Sequence, residues 1–401
     1  MKNTSRRNFL KKTSLSAAAF AASGLIPACE DSQTKVPSSG GNYMGDFIAP
    51  KLDKVRIAFI GVGKRGGGHL KYLSGLEGTE VVAISDLYED NVNDKIKIIK
   101  HSTNFNQHPK IQTYWGSDIK WKAMLNEVKP DAVFISTNWK NHAPMAIESM
   151  KNGAHAFVEV PLATSIKDLW SIIDTSERTQ RHCMMMENVN YGRTELMYLN
   201  MCRNGLIGDF LHAEAAYIHE LRWQMNEVNR STGSWRTPHY AYGKGNLYPT
   251  HGLGPVAQYM SLARGEDNFK SLISYSTPAL GRAIYAKKKF PDNHKWNQLD
   301  YMNGDMNTSI IKTLKGRTIL VQWDETSPRP YSRLNLIQGT KGVLAGFPTR
   351  IALEGGFDGL SKDHLQWIEG EQLKRVYDKF DHPLYKRLNK KSVGSGHGGM
   401  D

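Results

Sequence analysis

The sequence predicts an α/β protein in which a doubly wound parallel sheet is followed by an α+β domain with a largely antiparallel sheet. Three observations support this prediction. The chain has 401 residues, which is too long for one hydrophobic core and indicates two domains. Short apolar runs alternate with helical patterns between residues 55 and 187. After Asn188 this alternation stops, and strand-like segments are separated by long irregular stretches.

The first domain, residues 52–188, is predicted from apolar runs that are too short for helices. Helical patterns separate these runs, and strands that are joined by helices form a parallel sheet. The predicted strands are Val55 to Ile60, Val81 to Ser85, Asp131 to Thr137, Ala154 to Val160 and Cys183 to Glu187, with helices at 90–100, 118–127, 141–152 and 165–179.

The second domain, residues 189–401, has a different pattern. Strand-like segments follow one another without regular helices between them, which is typical of an antiparallel sheet. The irregular stretches are rich in aromatic residues, among them Trp235, Tyr240 and Tyr242, which suit either stacking on a ligand or core packing. The predicted elements are a helix from Thr194 to Asn204 and strands at 209–221, 271–276, 307–314 and 317–323.

The first 29 residues have the pattern of an export signal. Arg6 and Arg7 form the pair that the twin-arginine export machinery reads, and an Ala/Ser-rich, weakly apolar stretch follows. Cys29 ends a sequence that resembles a lipoprotein cleavage box, although Pro27 is not a favoured residue there. Residues 30–51 are predicted to be a flexible tether. We therefore expect export to the periplasm, or anchoring to the membrane through a lipid on Cys29.

Charge and composition narrow the range of partners. The formal charge is +13, and five of these charges lie in the leader, which leaves +8 spread along the chain. Nucleic acid is not an expected partner, because no basic stripe accompanies a recognisable binding module. Cys183 and Cys202 are expected to be buried free thiols. No metal is expected, because His, Asp and Glu residues do not show ligand spacing. The sequence does not determine the oligomeric state and is compatible with a homo-oligomer.

A glycine-rich turn and an acidic residue predict a dinucleotide site. Gly61, Gly63 and Gly66 form the pattern G-x-G-x-x-G after the first strand, and Asp86 ends the second strand. The glycines allow the backbone to approach a pyrophosphate at a helix N-terminus, and the acid can accept from ribose hydroxyls. Because an acid repels a 2′-phosphate, NAD is favoured over NADP. A glycine turn without a ligand is the alternative, and the strand–turn–helix context disfavours it.

Two further loops lie where an open α/β sheet binds its ligand, at the carboxyl ends of strands. One runs from Thr137 to His142, and the other contains Glu159, Val160 and Pro161. Taken alone, each loop is also consistent with an ordinary turn that binds no ligand. Together they indicate loops that contact a cofactor or a substrate.

With these motifs the sequence resembles the glucose–fructose oxidoreductase and inositol dehydrogenase superfamily. More narrowly, it resembles glycoside hydrolase family 109, the NAD-dependent α-N-acetylgalactosaminidases. The resemblance runs from about Val55 to the last residue, where the chain stops although family members continue for several more elements. The matching segments are Gly63 to Gly66, Trp139 to His142, Glu159 to Pro161, Glu187 to Gly192, Asn246 to Pro255, Ser327 to Arg333 and Gly396 to Asp401.

The resemblance implies two sets of contact residues. It also implies that the lysine acid/base of the wider superfamily's dehydrogenases is replaced, since Val160 stands at that position. Implied NAD contacts are Lys64, Arg65, Asp86, Trp139, Lys140, Asn141, His142, Glu159, Val160 and Asn188, and implied sugar contacts are Tyr217, Arg236, Tyr248, Pro249, Thr250, His251 and Tyr331.

The family implies a glycosidase that uses NAD without consuming it. The sugar is oxidised at C3, the aglycone leaves by elimination across C1 and C2, water adds, and the hydride returns. His251 is the favoured acid/base, and Tyr191 is a second candidate base. A buried histidine and an aromatic residue packed under the cofactor are the respective alternatives. Two other functions are compatible with the sequence: a sugar dehydrogenase or epimerase on the same scaffold, and a surface lipoprotein that only binds glycan.

Overall fold

The computed structural model describes residues 43–102, 105–108, 110–263 and 265–389. The predicted export signal lies outside the described residues, as do most of the predicted tether and the segment from Gly396 to Asp401. Within the described part of the chain, no helix is long and apolar enough to cross a membrane.

The first sheet has six parallel strands in the order β3-β2-β1-β4-β5-β6, which is the doubly wound arrangement that the sequence predicts. Only β3 was without a predicted counterpart. The strands are β1 (Val55–Ile60), β2 (Thr79–Ser85), β3 (Gln112–Tyr114), β4 (Ala132–Ile135), β5 (His155–Val158) and β6 (Cys183–Met185). The helices are α1 (Lys64–Leu73), α2 (Glu89–Lys100), α3 (Lys120–Val128), α4 (Trp139–Lys151) and α5 (Ile166–Thr179).

Aromatic side chains connect the central strands of this sheet. Phe59 on β1 pairs in register with Phe134 on β4, which pairs with Phe157 on β5. The ring centroids of the two successive pairs lie 5.5 and 4.7 Å apart. Cross-strand aromatic pairs of this kind stabilise a sheet and fix its register. They hold β1, β4 and β5 in line, so that the loops following these strands meet at one edge.

The second sheet has eight strands in the order β14-β13-β12-β11-β7-β10-β9-β8. Only β7 and β10 pair in parallel, and the other neighbours are antiparallel, as the prediction of a largely antiparallel sheet requires. The strands are β7 (Phe210–Ile218), β8 (Phe269–Ser276), β9 (Met306–Thr313), β10 (Thr318–Asp324), β11 (Leu336–Gly339), β12 (Gly342–Ala345), β13 (Arg350–Leu353) and β14 (Ile368–Glu369).

The stretches that appear irregular in the sequence contain several helices. Two of these carry an internal proline, Pro238 and Pro255, which obscures the helical pattern of apolar residues. The helices of this domain are α6 (Arg193–Arg203), α7 (Thr232–Tyr242), α8 (Thr250–Tyr259), α9 (Gly281–Lys289), α10 (Leu373–Phe380) and α11 (Pro383–Asn389).

The two cysteines in the described part of the chain are free thiols, as expected. Cys202 is buried in α6, whereas Cys183 on β6 is only partly buried. Burial raises the pKa of each thiol to about 12. Both therefore remain protonated near neutral pH and have little nucleophilic character.

Candidate active site

Each of the three predicted glycines has its own steric reason. Gly61 has φ +81°, and a Cβ there would lie 2.6 Å from the carbonyl oxygen of Ser136. A Cβ at Gly66 would collide with the carbonyl oxygen of Gly61, so the helix can approach the loop only with glycine. At Gly63, by contrast, a Cβ would point into open space. That space lies at the N-terminus of α1, where a pyrophosphate would fit.

The carboxylate of Asp86 is held beside this glycine loop. Its Oδ2 accepts a hydrogen bond from the backbone nitrogen of Val62 at 2.8 Å. Its Oδ1 accepts from the backbone nitrogen of Tyr88 at 2.9 Å and from the side chain of Asn91 at 3.0 Å. The acid is therefore oriented at the carboxyl end of β2, where the sequence predicts the ribose contact.

Glu159 connects the loop after β5 to helix α1. Its Oε1 accepts from Arg65 Nε and contacts His69 Nε2, both at 2.6 Å. Burial acts to raise the pKa of Glu159, but the His69 hydrogen bond and the Arg65 guanidinium outweigh it and lower the pKa to about 2. His69 was not predicted from the sequence, because a histidine inside a helix shows no local sign of its partner.

His142 connects the two predicted loops. Its Nδ1 lies 2.7 Å from the carbonyl oxygen of Pro161, and its Nε2 lies 3.1 Å from that of Thr137. The side chain is buried, and this burial lowers its pKa. Both ring nitrogens face protein carbonyl groups, so the geometry favours a role in shaping the cofactor loops rather than direct contact with NAD.

An aromatic cluster joins the two domains at this edge of the parallel sheet. Trp139, at the start of α4, stacks on Tyr248 with ring centroids 5.9 Å apart. The Tyr248 hydroxyl lies 3.5 Å from the carbonyl oxygen of Val160, and its ring lies 5.0 Å from that of Tyr217 on β7. Residues predicted to contact NAD and residues predicted to contact sugar are thus packed against each other.

His251 lies in this cluster, in the first turn of α8. Its ring centroid is 5.1 Å from that of Tyr217 and 4.9 Å from that of Tyr248, and its Nδ1 forms a hydrogen bond with Glu187. The next residue, Gly252, lies so close to β7 that a Cβ would collide with the backbone nitrogen of Ala216. This close contact fixes the position of His251 relative to the second sheet.

Arg236 places a positive charge behind the aromatic rings. Its guanidinium carbon lies 5.0 Å from the ring centroid of Trp139 and 5.4 Å from that of Tyr248. Burial acts to lower its pKa, but Tyr240, Tyr248 and Glu325 outweigh this and raise it, so the charge is retained. Within the described part of the chain, the buried Nε of Arg236 has no hydrogen-bond partner. The same holds for Trp139 Nε1 and Thr250 Oγ1, so this aromatic cluster holds three buried polar atoms that a polar ligand could satisfy.

Tyr331 and His219 form the more exposed rim of the pocket. The Tyr217 hydroxyl lies 3.0 Å from His219 Nδ1, and the His219 and Tyr331 rings are 5.0 Å apart. Arg333 donates a hydrogen bond to the Tyr331 hydroxyl at 2.8 Å. His219 was not predicted, although it follows Tyr217 by two residues at the end of the same strand.

The remaining predicted residues differ in exposure. Lys140 is exposed, and Asn141 and Asn188 are partly exposed. Tyr191 ends a 3₁₀ turn and is 40% exposed, and its assignment as a base stays a prediction. Tyr240 is buried under Trp139 with ring centroids 5.9 Å apart, which fits core packing. Among residues 43–389, with the gaps stated above, no three His, Cys, Asp or Glu side chains are placed to hold a metal ion.

Comparison with protein families agrees with this geometry. The model of the glycosyl hydrolase 109 C-terminal domain matches residues 191–401. The model of an oxidoreductase family with an NAD-binding Rossmann fold matches residues 55–187. The two matched regions coincide with the two sheets described above.

Two relatives match over the whole chain. A glycosyl hydrolase family 109 protein of Akkermansia muciniphila is 55% identical, over 100% of this chain and 86% of the relative. A Shewanella oneidensis protein named alpha-N-acetylgalactosaminidase is 54% identical with the same coverage.

Solved structures share the fold at low sequence identity. An NAD-binding oxidoreductase from Klebsiella pneumoniae has a TM-score of 0.60 at 15% identity, covering 83% of this chain and 84% of that structure. A levoglucosan dehydrogenase in complex with NADH and L-sorbose has a TM-score of 0.59 at 15% identity, covering 86% and 92%. The chain, with its NAD-binding Rossmann domain, therefore belongs to glycosyl hydrolase family 109 and is a glycosidase.

Proposed function

We propose that this glycosidase removes terminal α-N-acetylgalactosamine, or a closely related sugar, by oxidation at C3, elimination across C1 and C2, addition of water and re-reduction. The observation that carries the proposal is the contact of the Tyr248 hydroxyl with the carbonyl group of Val160, 3.5 Å away. This contact places the aromatic cluster, with its polar side chains, at the carboxyl edge of the parallel sheet. The name of the Shewanella oneidensis relative supports the choice of sugar.

The residues around the glycine loop fit NAD. Gly63 leaves open space at the N-terminus of α1, and Asp86 is oriented at the end of β2. Lys64 and Arg65 begin α1, and Trp139 and Val160 lie at the edge where the nicotinamide end would reach. When bound, NAD⁺ supplies a reversible hydride acceptor for C3 of the sugar.

The proposed proton transfers need a base near C2. Burial raises the pKa of Tyr248 to about 12 and that of Tyr217 well above its usual range. Both phenols therefore keep their protons at neutral pH and serve as hydrogen-bond donors. The His251 ring is in contact with both tyrosine rings, and we assign to it the acceptance of the C2 proton, which a ketone at C3 would acidify.

Ordinary sugar dehydrogenase chemistry is less well supported. It calls for an acid/base side chain where Val160 stands, and Val160 is buried with its carbonyl group facing Tyr248. A protein that only binds glycan would have no use for the glycine loop and its oriented acid.

The proposal is tested by hydrolysis of an aryl α-N-acetylgalactosaminide in D₂O. Removal of the C2 proton and its replacement from solvent should place deuterium at C2 of the released sugar. No net NADH should form, and chelators should not slow the reaction. A released sugar without deuterium at C2 would show direct displacement at C1 instead.

A companion measurement tests the roles of His251 and NAD. The protein should purify with NAD(H), and His251→Ala should retain the nucleotide while turnover falls by about 10²–10⁴-fold, as for a lost acid/base. Asp86→Ala should instead empty the site. A preparation that takes up no nucleotide at millimolar NAD would refute the cofactor assignment.

We also propose that the chain is exported by the twin-arginine machinery and anchored through Cys29. Replacing Arg6 and Arg7 with lysine should trap the precursor in the cell, because the receptor reads the arginine pair. Cys29→Ala should release the protein from membranes. Unchanged fractionation of the Cys29 variant would exclude the lipid anchor and leave export itself standing.

A further inference from the structure

Glu187 is a buried acid at the junction of the two domains. It lies two residues after β6, the last strand of the parallel sheet, and its side chain is 4% exposed. Its partner His251 is 64 positions further along the chain, in the first turn of α8. The pair therefore connects the sheet that carries the glycine loop to the helix that carries the proposed base.

The orientation of the Glu187 carboxylate is fixed by backbone groups. Oε1 accepts from the nitrogen of Val189 at 3.2 Å, and Oε2 accepts from the nitrogen of Asn190 at 3.0 Å. These two amides belong to the 3₁₀ turn from Asn188 to Tyr191, which Glu187 caps, so the turn and the carboxylate hold each other in place. The carboxylate cannot rotate without leaving a buried amide unpaired.

This arrangement determines which nitrogen of His251 carries a proton. Both oxygens of the Glu187 side chain already accept hydrogen bonds from backbone nitrogens, so His251 Nδ1, which faces Oε1, must be the donor. In the neutral ring the lone pair is then on Nε2. The rings of Tyr217 and Tyr248 lie about the same distance from His251 and limit its rotation.

We infer that Glu187 is a positioning residue that fixes the tautomer and orientation of His251, so that Nε2 accepts the proton from the sugar. This inference rests on the proposed function for its catalytic consequence. Because Glu187 follows the last strand of the NAD-binding sheet, it fixes the position of the proposed base relative to the cofactor loops. A fixed relative position is needed because the proposed hydride and proton transfers take place at adjacent carbons of one sugar.

The test uses the full chain with Glu187→Gln. A glutamine that places its NH₂ group where Oε1 lies would donate to His251 Nδ1 and move the ring proton to Nε2. Its oxygen would keep the hydrogen bond from the nitrogen of Asn190, and the nitrogen of Val189 would lose its acceptor. We expect kcat to fall by about 10²–10⁴-fold, as when a histidine is held in the wrong tautomer, while KM changes little. Bound NAD should be retained. The matched control is Asp267→Asn, a buried acid that is paired with Arg317 at 3.1 Å outside the site, and its kcat should stay unchanged.

The tautomer itself is read by two-bond ¹H–¹⁵N correlation spectra of histidine-labelled protein, with His251→Ala identifying the signal. Wild type should show a proton on Nδ1, and Glu187→Gln should show it on Nε2. This readout is independent of glycosidase activity, so failure of the proposed reaction and failure of the inference are distinguishable.

Three results would overturn the inference. The first is a wild-type signal with the proton on Nε2, a result that does not depend on whether Glu187→Gln folds. The second is a Glu187→Gln variant whose His251 tautomer is unchanged. The third is a variant with the changed tautomer and wild-type kcat in an active enzyme.

Discussion

Replacing Glu159 with glutamine should remove a pH-dependent part of the protein's stability. The pKa of Glu159 is about 2 in the folded protein, against an ordinary value of 4.5. A lowered pKa stabilises the folded state above the ordinary value, and this contribution is lost as the pH falls through the folded value. At about 1.4 kcal/mol per pH unit, the interval corresponds to roughly 3 kcal/mol at neutral pH. Of this, roughly 2 kcal/mol should be lost by pH 3.

The assay is urea unfolding at a series of pH values between 7 and 3, followed by tryptophan fluorescence. The measured quantity is the difference in the free energy of unfolding between wild type and Glu159→Gln. It should be largest at pH 7 and should shrink by roughly 2 kcal/mol by pH 3, because below pH 4.5 Glu159 takes up a proton in the unfolded wild-type chain while it stays ionised in the folded one. Glu77→Gln, a change at an exposed acid, should follow wild type throughout. A difference that stays constant or grows as the pH falls would refute the assignment of the low pKa to the contacts with Arg65 and His69.

Three further predictions concern contacts away from the proposed base. Arg230 pairs with Asp90 at 2.7 and 3.0 Å across the domain boundary. Without this ion pair the two domains are held together less firmly, so Arg230→Ala should speed NAD release by about two- to fivefold in stopped-flow fluorescence. Glu195→Gln would leave the buried Arg333 without its carboxylate and should lower the free energy of unfolding by about 3–5 kcal/mol in urea titrations. Gly252→Ala should force α8 away from β7 and so lower both kcat and stability. The free energy of unfolding should fall by about 1–3 kcal/mol in the same titrations. An unchanged kcat would contradict this prediction.

The parallel sheet could be predicted from the sequence almost strand by strand. Its central strands are buried on both faces and therefore appear as continuous apolar runs, as from Ala132 to Ile135. The exception is β3, which has only three residues, two of them exposed, and so offers no apolar run. In the second domain, the prolines in α7 and α8 hid two helices on which predicted site residues lie.

The candidate site could be predicted only in part. The family segment from Asn246 to Pro255 carries Tyr248 and His251, whereas Arg236 lies outside the matching segments and was named only as a contact that the resemblance implies. The partners of these residues could not be predicted in the same way. Glu187 and His69 act through hydrogen bonds to residues that are distant in sequence, and no local pattern encodes such a contact. Glu187 ends the predicted last strand and begins a matching segment, but neither feature indicates that its partner is His251.

The position of β7 in the second sheet has a consequence for how the chain folds during synthesis. Its neighbours are β10 and β11, and β10 begins 100 positions after β7 ends. At a synthesis rate of about 5–20 residues per second, β7 waits roughly 5–20 s for its first sheet partner. The strands of the parallel sheet have all been made by then. The newly made second domain is thus most open to chaperones and to aggregation in that interval, with its future central strand exposed on both edges.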